Sequence, residues 1–178
     1  MPSGYVPGLL SREKGFIRKT ILDEWKDEWV KSPKGGHLRQ IDKTLPAIRT
    51  RRLYGSLPQN RAYLLRQLRT GHSWLATYQK QHGFQDDDRC VCGARETVVH
   101  VLVDCPKLRY LRQQLRRKIG AAFSSISNML GGQQGKEGKA QDAEQDHGTL
   151  GAVLDFAEAS QRFRSRAPRG PQNRTLGD

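Results

Sequence analysis

The sequence predicts a mainly α-helical fold, a small helical domain over residues 13 to 130 with a disordered C-terminal tail. Three observations carry that expectation. Apolar residues recur three and four positions apart in several stretches, the mark of helices with one buried face. All three cysteines of the 178-residue chain fall between Cys90 and Cys105, with His100 among them. Beyond Gly131 the chain turns to Gly, Gln, Lys, Glu and Asp, with almost nothing apolar before Leu150. Only 35% of the residues are hydrophobic, so the core is expected to be small.

Residues 1 to 12 read as a flexible N-terminus. Residues 13 to 31 carry Ile17, Ile21, Leu22, Trp25 and Trp29 at helical spacing, with Asp23, Glu24, Asp27 and Glu28 mostly off that face. Ser32-Pro-Lys-Gly-Gly36 ends this helix. His37 to Tyr54 is ambiguous and is broken by Pro46. Arg61 to Thr70 reads as a helix with Leu64, Leu65 and Leu68 inside and Gly71 as its C-terminal cap. Ser73 is expected to cap a short helix through Trp74, Leu75 and Tyr78 that stops at Gly83. Gln85 to Arg89 is a loop leading into the cysteines. From Pro106, the residues Leu108, Leu111, Leu115, Ile119 and Phe123 make an amphipathic helix with arginines opposite. Residues 131 to 148 read as a disordered linker. Residues 149 to 178 hold a short helix near Leu150 to Phe163, able to fold back on the core, and a basic disordered end. Everything after Gly131 is expected to be dispensable for folding.

The cysteine cluster has the spacing C-x-C-x7-H-x4-C, from Cys90 and Cys92 through His100 to Cys105. Three thiolates and an imidazole are a complete tetrahedral set for a closed, structural zinc knuckle. A disulfide framework prefers an even count and a secretory leader, and the N-terminus shows no basic segment followed by an apolar run. A catalytic thiol would leave the other two cysteines unexplained. Cys90 and Cys92 can face one ion only through a tight turn, which Gly93 permits. On a continuous α-helix His100 and Cys105 would diverge, since positions five apart lie about 140° apart around the axis. Pro106 pushes Cys105 out of the α region, so the helix should stop near Asp104 and Cys105 swing back. Pro106 then suits the first position of the next helix. Asp104 is either a spare oxygen ligand or, in the more ordinary reading, the cap of that next helix.

The formal net charge of +13, from 31 Lys+Arg against 18 Asp+Glu, favours a polyanionic partner. No stretch approaches the length of an apolar membrane span. Arg49, Arg51, Arg52, Arg61, Arg66 and Arg69 succeed one another without an acid among them. After the cysteines come Lys107, Arg109, Arg112, Arg116, Arg117 and Lys118. Either run alone would be a solvated helix face; two runs flanking a zinc knuckle point to phosphate contact. Arg61, Arg66, Arg69, Lys107, Arg109, Arg112, Arg116 and Arg117 are the expected nucleic-acid-binding residues. Trp74 and Tyr78 are core candidates by spacing and stacking candidates by chemistry. Asp86-Asp-Asp88 reads as a solvated loop rather than a two-metal site, and His72 has no nucleophile beside it. A fully ligated zinc leaves no open position for water, so no catalytic residue is expected.

The order Leu68-Arg-Thr-Gly-His-Ser-Trp-Leu75, then Cys90-Val-Cys-Gly-Ala-Arg-Glu-Thr-Val-Val-His100, then Asp104-Cys-Pro106 resembles a known region. It is similar to the segment after the ribonuclease H domain in non-LTR (LINE-like) retrotransposon polyproteins of fungal type. Trp25, Trp29, the Pro33-Lys-Gly-Gly stretch and Arg49-Thr-Arg-Arg-Leu-Tyr54 share in the likeness, which covers residues 20 to 130. The resemblance implies that Cys90, Cys92, His100 and Cys105 bind zinc and that the segment binds nucleic acid, RNA before DNA. The aspartate pair of a polymerase and the spaced carboxylates of a ribonuclease H core are absent from this sequence. The expectation is therefore a truncated C-terminal part without polymerase or nuclease activity, in an intracellular setting, nuclear or cytoplasmic. The alternatives are a zinc-organised protein-interaction module docking to reverse transcriptase or ribonuclease H domains, and a remnant with no function.

Overall fold

A computed structural model describes residues 7–45, 48–132 and 140–163. Among these residues the chain is helical, without a strand; an isolated antiparallel bridge joins Arg89 and Arg95. The helices are α1 (Pro7–Lys31), α2 (Gly36–Ile41), α3 (Ile48–Gly55), α4 (Gln59–Thr70) and α5 (Ala76–Gln81), then α6 (Arg109–Ile119), α7 (Ile126–Met129) and α8 (Ala140–Ser160). Between α5 and α6 lie a π-helical turn, His100–Asp104, and a 3-10 turn, Pro106–Leu108; a second 3-10 turn, Gly120–Ser124, comes after α6. No helix among the described residues is long and apolar enough to cross a membrane.

The core forms where α4, α6 and α8 meet the π-helical turn. Leu65 and Leu68 of α4, Val101 and Leu102 of the turn, and Leu115 and Ile119 of α6 are buried together. Leu150, Val153, Leu154, Phe156 and Ala157 of α8, with Phe163 just beyond it, complete the same cluster. The segment expected to be dispensable for folding therefore contributes part of the buried core. Helix α8 begins at Ala140, inside the expected linker, and its apolar face lies along α6. Arg61 on α4 ties it further, donating to Asp155 at 2.6 Å and Glu158 at 2.9 Å. Residues 133–139 and the basic end from 164 onward lie outside the described residues, as does Pro46.

A buried polar knot pins α2 to α4 and α7. Arg69 is 1% exposed; it pairs with the carboxylate of Asp42 and donates to the Leu130 carbonyl. Ser127 donates to the Ile41 carbonyl at 2.5 Å. At Gly132 the backbones approach so closely that a Cβ would lie 2.2 Å from that same carbonyl oxygen.

Local signals explain two of the helix ends. Gly71 ends α4 with φ 74°, its amide donating to the Gln67 carbonyl, as expected of a glycine cap. Gly120, with φ 53°, ends α6 and separates it from the 3-10 turn that holds Phe123, within the single helix expected from Pro106 to Phe123. Ser73 does not cap α5. The buried carboxylate of Glu96 accepts from the Ala76 amide at 2.8 Å, so the cap comes from the cysteine loop.

Helix α1 stands apart, and it starts at Pro7 within the expected flexible N-terminus. Arg39 holds its C-terminal end by donating to the carbonyls of Trp29, Ser32 and Lys34. The Trp29 carbonyl is one that a helix end leaves without a partner, and the other two belong to the loop that follows. Ile17, Ile21, Leu22 and Trp25, expected on a buried face, are all exposed.

Candidate metal centre

The loop that carries the cysteines is closed by its own backbone. The Cys90 amide donates to the Ala94 carbonyl and the Gly93 amide to the Cys90 carbonyl, each at 2.8 Å. Gly93 sits at φ 90°, the left-handed conformation that the C-x-C turn requires and that a side chain would oppose. The Glu96 amide donates to the Asp88 carbonyl at 2.8 Å and closes the base of the loop. Val91, between the two cysteines, points to solvent, so both thiols turn inward.

The second half of the site is the π-helical turn. The Cys105 amide donates to the His100 carbonyl at 2.8 Å, a hydrogen bond spanning five residues. This wider turn brings His100 and Cys105 to one side, where an α-helix would have separated them. Cys105 then leaves in an extended conformation, φ −55° and ψ 115°, as the residue before Pro106 must. Thr97 starts the turn by accepting from the His100 amide at 3.1 Å.

The four ligand atoms lie within 4.8 Å of one another, close enough to hold a metal ion. Cys90 Sγ and Cys105 Sγ are 3.7 Å apart, and Cys92 Sγ is 3.3 Å from His100 Nε2. Tetrahedral bonds of about 2.3 Å to sulfur and 2.0–2.1 Å to nitrogen place such pairs about 3.8 Å and 3.6 Å apart. These two pairs are within tenths of an ångström of tetrahedral spacing, and the widest separation allowed by the cluster exceeds it by about 1 Å. Cys90, Cys105 and His100 are buried, and Cys92 is half-buried. Without metal, burial pushes the Cys90 thiol up to about 11. The Cys92 thiol is lowered, chiefly by the Ala94 backbone. Asp104 is exposed and outside the cluster, and the turn after it has no side-chain cap. It is neither a ligand nor the expected cap.

Arg112 belongs to this centre and not to a phosphate face. It is 8% exposed, and its guanidinium donates to the carbonyls of Leu102 and Cys105. Burial lowers its pKa, and it spans from α6 to the backbone of the last ligand. Glu96 is the matching strut on the other side. It caps α5 and receives Arg162 from beyond α8, so the end of the folded chain is tied to the metal loop.

The other expected nucleic-acid-binding residues divide. Arg69 is corrected with Arg112, because it is buried on Asp42. Arg61 is half-buried and engaged by two carboxylates of α8. Arg66, Lys107, Arg109, Arg116 and Arg117 are exposed. Arg66 lies over the Tyr63 ring at 4.9 Å and Arg116 over Phe123 at 4.4 Å. Tyr110, 72% exposed beside these cations, is a candidate that sequence reasoning missed. Its signal is an aromatic residue off the apolar stripe of α6. Trp74 and Tyr78 are half-buried in a surface group of rings with His72, His82 and Phe84. Asp88 pairs with Arg95 at 3.0 Å and Asp87 accepts from the Arg89 amide, which gives that acidic loop structural partners.

Comparison with known proteins finds no matching family model, no matching curated protein and no matching solved structure.

Proposed function

We propose that this chain is a zinc-stabilised nucleic-acid-binding module, with RNA as its preferred ligand. In this reading it is a C-terminal part of a retrotransposon reverse transcriptase polyprotein and has no polymerase or nuclease chemistry of its own. Zinc is the ion that three thiolates and one imidazole in a closed tetrahedral set suit best. It would fix Cys90, Cys92, His100 and Cys105 and supply folding free energy rather than catalysis.

The observation that carries the ligand class is the exposed basic surface that begins directly after the last ligand. Lys107 sits two residues beyond Cys105, and Arg109 and Arg116 lie on one side of α6, near two turns apart, with Arg117 beside them. No acid occurs in α6, and Tyr110 offers an aromatic face among the cations. Cations with an interleaved ring suit phosphates and unpaired bases. A second reading, a zinc-organised protein-interaction module, is favoured by the exposed apolar stripe of α1.

Fluorescence anisotropy of a labelled single-stranded RNA, titrated with zinc-loaded protein across a range of salt, tests the proposal. Four phosphate contacts give a log K against log salt slope of about −3, at about −0.7 per contact on single strands. Chelation should abolish the binding. Absence of binding at low salt would overturn the nucleic-acid reading.

A further inference from the structure

Helix α1 is 25 residues long and extends away from the core, held at its C-terminal end. It exposes Ile17 (56%), Ile21 (43%), Leu22 (42%) and Trp25 (57%) as one stripe. A helix in water with no packed face is marginal, because most helical stability comes from burying such a stripe. Contiguous exposed apolar surface of this kind marks an interaction site.

Charge on α1 is segregated along its length, and this identifies what covers the stripe. The first half carries Arg12, Lys14, Arg18 and Lys19 against the single acid Glu13. The second half carries Asp23, Glu24, Asp27 and Glu28 against Lys26 and Lys31. Those two lysines are already used within the helix, Lys26 on Asp23 at 2.8 Å and Lys31 on Asp27 at 3.2 Å. Glu24 and Glu28 form no ion pair among the described residues, and neither do Lys14 and Arg18. The stripe itself is divided in the same way. One shallow groove is walled by Ile17, Ile21, Leu22 and Trp25 with Lys14 and Arg18 on it. The next, sharing Trp25, is walled by Trp29 and Leu45 with Asp27, Glu28 and Lys31 on it; Lys31 is taken up by Asp27, which leaves Glu28 as the unpaired charge.

We propose that the exposed face of α1 binds the same face of a second copy of this chain, antiparallel, as a two-fold dimer. A basic-edged apolar groove and an acidic-edged one on a single helix are self-complementary only when two copies run in opposite directions. A two-fold axis across the helix imposes that arrangement. With Ile21 on the axis, Ile17 of each copy meets Trp25 of the other, and Lys14 meets Glu28. A parallel pair would set Lys14 and Arg18 against themselves and Glu24 and Glu28 against themselves, which like-charge repulsion disfavours. The proposal is independent of the metal and of any nucleic acid.

Sedimentation equilibrium of the full chain, at moderate salt and as a function of protein concentration, tests it. The expected result is a reversible monomer–dimer equilibrium. Ile21→Glu places two carboxylates together on the axis and should weaken association by about a hundredfold or more, since such juxtaposition is strongly unfavourable. Lys14→Glu with Arg18→Glu makes the seam acidic in both halves, and Glu24→Lys with Glu28→Lys makes it basic in both. Each double variant should be monomeric alone, and an equimolar mixture of the two should form a heterodimer. Because α1 packs little against the core, every variant should keep the thermal melt of the parent chain. A parent chain that stays monomeric at about 100 μM, an Ile21→Glu variant that dimerises unchanged, or a mixture that fails to associate would each overturn the proposal.

Discussion

Replacing Arg112 with Met separates a strut of the metal centre from a phosphate-binding arginine. Met keeps much of the apolar stem and removes the guanidinium that donates to the Leu102 and Cys105 carbonyls. Both bonds are buried, so little water can replace the donor at either carbonyl. Charge-assisted hydrogen bonds contribute about 1.5–3 kcal/mol each, so the pair is worth about 3–6 kcal/mol before relaxation of the loop. Part of that loss falls on the fold and part on the position of Cys105, whose carbonyl is one of the two acceptors. Outer partners of metal ligands typically contribute about 10- to 100-fold in affinity. The expected result is zinc affinity lower by at least about tenfold in competition with a chromophoric chelator. Urea unfolding of the metal-loaded variant should show a loss of about 2–4 kcal/mol, the pair's value after partial relaxation. The salt slope of RNA binding should be unchanged once the variant is saturated with zinc. Zinc affinity and stability equal to the parent's, together with a salt slope shallower by about one contact, would refute the strut and restore Arg112 to the phosphate face.

The packing and the site lead to three further expected outcomes. Gly132→Ala forces a Cβ against the Ile41 carbonyl and the Ser127 hydroxyl, and should destabilise by about 1–3 kcal/mol in urea unfolding. Truncation before α8 removes the buried Leu150, Val153, Leu154, Phe156 and Phe163. At about 1.5–3 kcal/mol for each side chain this approaches the whole stability of a small domain, so the cooperative melt should disappear. Above pH 9, where the lowered Cys92 no longer contributes a change, the metal-free chain should lose stability as pH rises, whereas the metal-bound chain loses it on acidification. In the metal-free chain Cys90 is raised from an ordinary 9.0 to about 11. The fold therefore favours the protonated thiol, and that contribution is complete below pH 9 and lost as pH rises toward 11. With metal bound the thiolate is the ligand, so stability falls on acidification instead. Thermal melts of both forms across pH decide the point, and matching profiles would contradict it.

The features legible in the sequence are those that local chemistry dictates. The four clustered Cys/His residues, the tight turn at Gly93, the extended Cys105 before Pro106 and the cap at Gly71 each depend on neighbours in the chain. The π-helical turn is not legible. His100 and Cys105 five residues apart demand a departure from α geometry, but the motif does not say which departure is made. Arg69 and Arg112 are misread when charge is counted without regard to position. Arg69 stands four residues after Leu65 and one after Leu68, and Arg112 stands four after Leu108 and three before Leu115. Both occupy places in the apolar stripes of their helices, where an arginine is buried with partners or the stripe is broken. The partners themselves, Asp42 and backbone carbonyls, are set by tertiary packing. Helix α8 is underestimated because the polar stretch before Leu150 hides a helix whose apolar face emerges only in its second half. In α1 the helical period is plain in the sequence. The burial of its apolar face within this chain does not follow, since amphipathicity shows that a face needs a partner without saying where the partner is.

Zinc stoichiometry combined with thermal unfolding, measured on the purified chain before and after chelation and on Cys92→Ser, decides whether a structural zinc holds this fold together. The expected result is one zinc per chain, bound by the cluster of Cys90, Cys92, His100 and Cys105. The cooperative melt should shift sharply downward or vanish on chelation, with Cys92→Ser behaving like the chelated protein. A chain that binds no zinc, or that melts identically with and without it, would rule out a structural zinc at this site.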